Sequence, residues 1–96
     1  MNMDKPYTES QISENQFIRI FSPDIPEEEL VWHRDREDRV VTPINNNDWQ
    51  LQIDDQLPIY LKQSEEYIIP KGVFHRVIKG TTSLTIKLLK GESDDY

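Results

Sequence analysis

The sequence predicts an all-β sandwich or barrel with little helix, and three observations carry that prediction. Short apolar stretches follow one another at about 8–12-residue spacing, each bounded by Gly, Pro, Asn or Asp clusters. No window of about eleven residues or more fits a helical period. The stretch Trp49-Gln50-Leu51-Gln52-Ile53 alternates apolar and amide side chains, the period of a strand with two different faces.

The elements read in order as follows. Residues 1–15 carry a single Ile and a single Tyr and are expected to form a flexible polar N-terminal arm. The folded domain is expected over residues 16–90. Its first strand is Gln16–Phe21, with Phe17, Ile18, Ile20 and Phe21. Pro23 and Pro26 punctuate the next segment, where Pro26 and three glutamates suit one helical turn. Leu30–Asp35 reads as a strand, Arg36–Asp38 as a polar turn, and Arg39–Ile44 as a Val- and Thr-rich strand. Asn45–Asp48 is a turn signal, since Asn tolerates the left-handed backbone of tight hairpins. After the Trp49–Ile53 strand, Asp54-Asp55-Gln56 turns again. Leu57–Leu61 contains Pro58, which suits an edge strand or a strand start. Tyr67–Ile69 runs into the turn Pro70-Lys71-Gly72. Val73–Ile78 and Ser83–Leu89 are the last strands, the latter with Leu84, Ile86 and Leu88 on one face. Residues 91–96 are expected to form an acidic C-terminal tail.

Composition narrows the function classes. A chain of 96 residues suits one domain. Its hydrophobic fraction of 35% is low and predicts a thin core. A homodimer would relieve that and cover an exposed strand edge. The net charge of −7 repels phosphate backbones and argues against a nucleic-acid partner. No cysteine is present, so disulfides, thiolate metal sites and cysteine nucleophiles are excluded. No run approaches the roughly 18 apolar residues of a membrane span. The first ten residues lack an apolar signal core, so a cytoplasmic location is the expectation. Nucleophile elbows, phosphate loops and dinucleotide fingerprints are missing; the three glycines stand at 72, 80 and 91.

The chain has two histidines, His33 and His75. His33 and Asp35 are two apart, so in an extended strand both point to one face. With His75 they make a 2-His-1-carboxylate set, which suits Fe(II) and also Mn(II), Ni(II) or Zn(II). Each residue has an ordinary reading too. A strand histidine is often a hydrogen-bonded structural residue. Asp35 sits in the charge run Arg34–Arg39 and could pair with Arg36 or Arg39. Trp49 reads as core or as a substrate platform. Gln50 and Gln52 share the face opposite Trp49: they face water if Trp49 is core, and line the interior if it is a polar pocket.

Residues 64–79 resemble the second cupin motif, a Gly, five residues, Pro-x-Gly, two residues, His, three residues, Asn. Pro70, Gly72 and His75 fall at that spacing, with Ser64 in place of the first Gly and Lys79 in place of the Asn. His33-x-Asp35 resembles the start of the first motif, His-x-His followed after three or four residues by Glu. Asp35 stands for the second His, and Arg39 or Val40 for the Glu. The Asn45–Asn47 turn falls where the motif has its glycine. The resemblance covers residues 30–89 and implies a cupin-type double-stranded β-helix, a jelly-roll. It implies a divalent metal ion on His33, Asp35 and His75. It implies that Arg39, which cannot bind a metal, holds a carboxylate or phosphate of a small-molecule ligand, with Gln50 as a second candidate contact. The His-x-Asp…His pattern also resembles 2-oxoglutarate-dependent oxygenases, which share the fold on longer chains. Small cupins often pair through an edge strand, which again implies a homodimer.

The expected function is that of a small metal-binding cupin that binds or transforms a small polar or anionic molecule, by oxygenation or isomerisation. Two alternatives stand beside it: a metal-free cupin-fold interaction module, and a small regulator of another macromolecule acting through its acidic surface.

Overall fold

The structure, a computed structural model, describes residues 5–92. Eight strands among these residues form two antiparallel sheets: β1 Tyr7–Gln11, β2 Gln16–Phe21, β3 Arg39–Pro43, β4 Gln50–Ile53, β5 Ile59–Tyr60, β6 Tyr67–Ile69, β7 His75–Ile78 and β8 Leu84–Lys90. The larger sheet has the order β1-β2-β8-β3-β6 and the smaller the order β5-β4-β7. The helical content among the described residues is one 3₁₀ turn, Glu27–Glu29, directly after Pro26. This is the all-β architecture that the alternation and turn spacing predict, and its two packed sheets suit the jelly-roll that the cupin resemblance implies.

Strand β8 explains how so apolar-poor a chain builds a core. It is the central strand of the larger sheet, and Leu84, Ile86 and Leu88 all point inward and are buried. Trp49, Leu51 and Leu61 meet them from the other sheet. Trp49 is 0% exposed, and its Nε1 donates to the Thr82 carbonyl at 2.6 Å. It is therefore a core residue with its polar handle satisfied, not a substrate platform. Because Leu51 points inward, its neighbours Gln50 and Gln52 point outward, where Gln52 accepts from Arg76. Gln50 does not line the interior cavity, so it is corrected as a ligand contact.

Three expectations on local structure also change. Residues 7–11 are not a loose arm but strand β1, paired along its length with β2. Its polar sequence hides this, because of its five residues only Tyr7 packs on the core, against Phe21, and the rest is held by backbone bonds and by the cross-strand pair of Glu9 with Arg19. The segment 30–35 is not a strand; one isolated bridge, His33 to His75, is its only ladder pairing among the described residues. Asn45–Asp48 is not a hairpin turn, because β3 and β4 belong to different sheets. The asparagine side chains satisfy the backbone as it crosses over. Asn45 bonds the Ser83 carbonyl and the Thr85 N–H, and Asn47 bonds the Leu61 carbonyl and the Trp49 N–H. Of the acidic tail, residues 93–96 lie outside the described residues, while the Gly91 N–H bonds the Asp38 carbonyl at 2.8 Å.

Two outcomes follow. Leu84→Ala, at a fully buried site, is expected to cost about 2–5 kcal/mol in chemical denaturation. Ile20→Ala, on the outer face of β2, is expected to cost less than about 1 kcal/mol. For Glu9, burial raises the pKa, but the bond to Arg19 and the charges of Arg19, Lys90 and Lys5 outweigh it, so it lies below the ordinary 4.5. A depressed carboxyl pKa stabilises the fold above the unfolded-state value and loses that effect as pH falls through the folded value. Wild-type protein is thus expected to be more stable than Glu9→Gln at pH 7, with the gap closing on acidification below about pH 4.5. Thermal unfolding of both proteins across pH checks it.

Candidate metal centre

The two sequence patterns meet because their backbones are hydrogen-bonded to each other. His33 and His75 exchange both backbone bonds, N–H to carbonyl at 3.0 and 2.8 Å. The next contact is the Gly72 N–H to the Asp35 carbonyl at 2.9 Å. Gly72 has φ +76°, the left-handed region that favours glycine, so the Pro70-Lys71-Gly72 turn presents this N–H at no steric cost. The Lys71 N–H bonds Asp38 Oδ1 at 2.8 Å and closes the same turn from the other side.

These contacts bring His33, Asp35 and His75 together, with one ligating atom from each lying within 4.8 Å of the others. Ligands to a single ion at about 2.1 Å lie no more than about 4.2 Å apart. The widest separation exceeds that span, so sharing one ion requires the side chains to draw together. His75 is buried at 4% exposure, and His33 is exposed. Both rings are oriented alike: Nδ1 of His33 lies 3.0 Å from the Val31 carbonyl, and Nδ1 of His75 lies 3.0 Å from the Val73 carbonyl. A carbonyl only accepts, so each Nδ1 carries the hydrogen; in the neutral form of each ring Nε2 is then a bare lone pair, and in the protonated form it is a second donor. This backbone anchoring of the second nitrogen is typical of metal-ligating histidines.

Asp35 is the electrostatic centre of the group. Its Oδ1 lies 3.3 Å from Arg39 Nη2, and its Oδ2 lies 3.3 Å from His75 Nε2. Oδ2 is buried and has no hydrogen-bond partner among the described residues. With His75 neutral, two acceptors face each other across 3.3 Å, an arrangement that a cation between them, proton or metal, satisfies. Burial raises the Asp35 pKa; a hydrogen bond from protonated His75, the Arg39 charge and then the charges of protonated His75 and His33 outweigh it, so beside charged rings the carboxyl sits below its ordinary value. It is ionised near neutral pH, as a ligand must be.

Arg39 is the ordinary ion-pair partner that the charge run suggests, and it also stands beside the site. Its Nε and Nη2 bind Glu37 at 2.7 and 2.6 Å. The guanidinium is held by two carboxylates, more closely by Glu37 than by Asp35. The trio faces a cavity of about 300 Å³ between the sheets, walled by Leu51, Ile69, Ile86 and Leu88. Arg19 of β2 also lines it, a residue that sequence reasoning passed over. The sequence holds no local signal for it, since Phe17–Phe21 has apolar residues on both faces; the fold places Arg19 on the inward face with Phe17 and Phe21.

No protein-family model and no curated protein matches the chain. Solved structures do. A cupin-2 domain containing protein from Shewanella frigidimarina superposes with a TM-score of 0.63 at 22% identity, over 98% of this chain and 85% of that one. A cupin domain from Bordetella pertussis gives 0.62 at 22%, over 95% and 100%. The cobalt(II) form of HppE in complex with Tris buffer gives 0.72 at 13%, over 95% of this chain and 56% of that one. The shared feature is the fold: this chain has the fold of the small cupins. No helix among the described residues is long and apolar enough to cross a membrane.

The ring geometry makes a direct prediction. In chelator-treated protein at about pH 8, long-range ¹H–¹⁵N NMR is expected to show the Nδ1–H tautomer for both His33 and His75. An Nε2–H tautomer at either contradicts the arrangement.

Proposed function

We propose that this cupin-fold chain holds a divalent metal ion on His33, Asp35 and His75, and uses it to bind or transform a small polar or anionic molecule in the cavity between the sheets. The observation that carries the reading is the buried, donor-free Asp35 Oδ2 facing the bare Nε2 of His75. Two imidazoles and one carboxylate suit Fe(II), Mn(II), Ni(II) or Zn(II). Such an ion supplies Lewis acidity and open positions for water and substrate.

The chain's own residues have distinct parts in this reading. Val31 and Val73 carbonyls orient the imidazoles. Arg39, itself held by Glu37, fixes the Asp35 carboxylate through Oδ1 and leaves Oδ2 directed to the site. Where the cupin motif has its glutamate ligand this chain has Arg39 or Val40, neither of which binds a metal, so the proposed set is three protein ligands. The apolar walls exclude water from the bound molecule and strengthen every polar contact inside. Likeness to the iron(II) and cobalt(II) forms of HppE adds support at the level of fold.

A second reading rests on the same contacts. If the cation between Asp35 and His75 is a proton, the group is a buried His–Asp–Arg ion-pair network, and the chain is a metal-free interaction module. Elemental analysis separates the two. Protein purified without chelator or metal-affinity steps is expected to carry about one equivalent of Fe, Mn, Ni or Zn. His33→Ala, at an exposed position that tolerates truncation, and His75→Gln are each expected to lose it. Metal-free protein that takes up none of these ions on titration overturns the proposal.

A further inference from the structure

Arg19 is a second charged feature of the cavity, and neither the core nor the metal reading explains it. It points inward from β2 with a side chain only 10% exposed. It lines the same cavity as the His–Asp–His group. A guanidinium stays charged at any working pH, and burying it is costly unless its donors are met. Glu9 of β1 meets Nε, and the Tyr7 ring lies 4.1 Å from Cζ. One carboxylate covers one side of the guanidinium fork. Among the described residues Arg19 has no second acceptor.

Charge balance points the same way. Glu9 offsets Arg19, and Glu37 offsets Arg39. Lys90 stands close to both arginines. A divalent ion on Asp35 would leave the interior positive. The other acid lining the cavity, Glu29, is exposed at the rim and screened by solvent. A monoanion completes such a cavity, and the remaining wall is apolar.

We infer that Arg19 is the anion-recognition residue of this cavity: it takes the carboxylate of a small monocarboxylic acid whose apolar body lies along Leu51, Ile86 and Leu88. The inference deepens the proposed function by naming a ligand class. Arg19's part does not require the metal, so the two can fail separately.

The test compares hexanoate with hexanamide, an uncharged analogue of closely similar shape, by calorimetry on the full chain as purified and after chelation. Hexanoate is expected to bind at least about tenfold more tightly than hexanamide in the metal-loaded protein, and with a smaller preference, still dependent on Arg19, after chelation, when the Asp35 charge is no longer offset. Arg19→Gln is expected to abolish that preference while leaving hexanamide affinity and zinc uptake unchanged. Arg19→Lys keeps the charge and is expected to retain part of the preference, which covers the case in which Arg19→Gln does not fold. Equal affinity for the two probes in wild-type protein, no binding of either, or a preference that survives in Arg19→Gln overturns the inference. Loss of metal uptake with the preference intact overturns the metal proposal alone.

Discussion

The pair of reciprocal backbone hydrogen bonds between His33 and His75 is the constraint on which the site depends. It joins residues 42 positions apart without a regular strand on the N-terminal side. Everything downstream inherits its geometry. The bridge extends the smaller sheet beyond β7 by a single residue, which puts both imidazoles on the cavity side with ring centroids 4.2 Å apart. From there the chain needs only two residues to bring Asp35 round, and the Gly72 N–H catches its carbonyl. The spacing of Pro70-x-Gly72-x-x-His75 is then physically intelligible. The turn must reverse the chain, expose one N–H to the opposite segment, and enter β7 with the histidine facing inward.

The second organising fact is that Asp35 divides its two oxygens between different partners. Arg39 takes one and the histidine side takes the other. An ordinary ion pair and a ligand role are therefore not rivals at this residue, because the pair occupies the oxygen that a metal would not need. Arg39 in turn leans on buried Glu37, so alternate members of the charge run, Asp35, Glu37 and Arg39, form a supporting layer while Arg34, Arg36 and Asp38 are exposed.

Much of this was legible in the sequence, for definable reasons. The alternation in β4 and β8 reports burial directly, since every second residue meets the other sheet, and it also decides that Gln50 faces away from the cavity once Trp49 is core. The parity of His33 and Asp35 holds although the segment is not a strand, because extended backbone has the same period whether or not it is paired. What stayed hidden were features made by long-range pairing of polar residues. Strand β1 is visible only through its register with β2, and Glu9 becomes meaningful only when it stands opposite Arg19. Arg19 itself lies in a stretch with apolar residues on both faces, so local pattern alone does not say which face is inside. The asparagines at 45 and 47 read as a hairpin because their turn chemistry is local, while their partners at 61, 83 and 85 are not.

The central claim is that His33, Asp35 and His75 share one ion. An anomalous-difference map from crystals of the full chain grown with cobalt(II) tests it most directly. The account predicts one strong peak between the two sheets, about 2.0–2.2 Å from Nε2 of both histidines and from Asp35 Oδ2, with Oδ1 still against Arg39. A map with no peak there, or with Asp35 turned away while the ion sits on other residues, would contradict it.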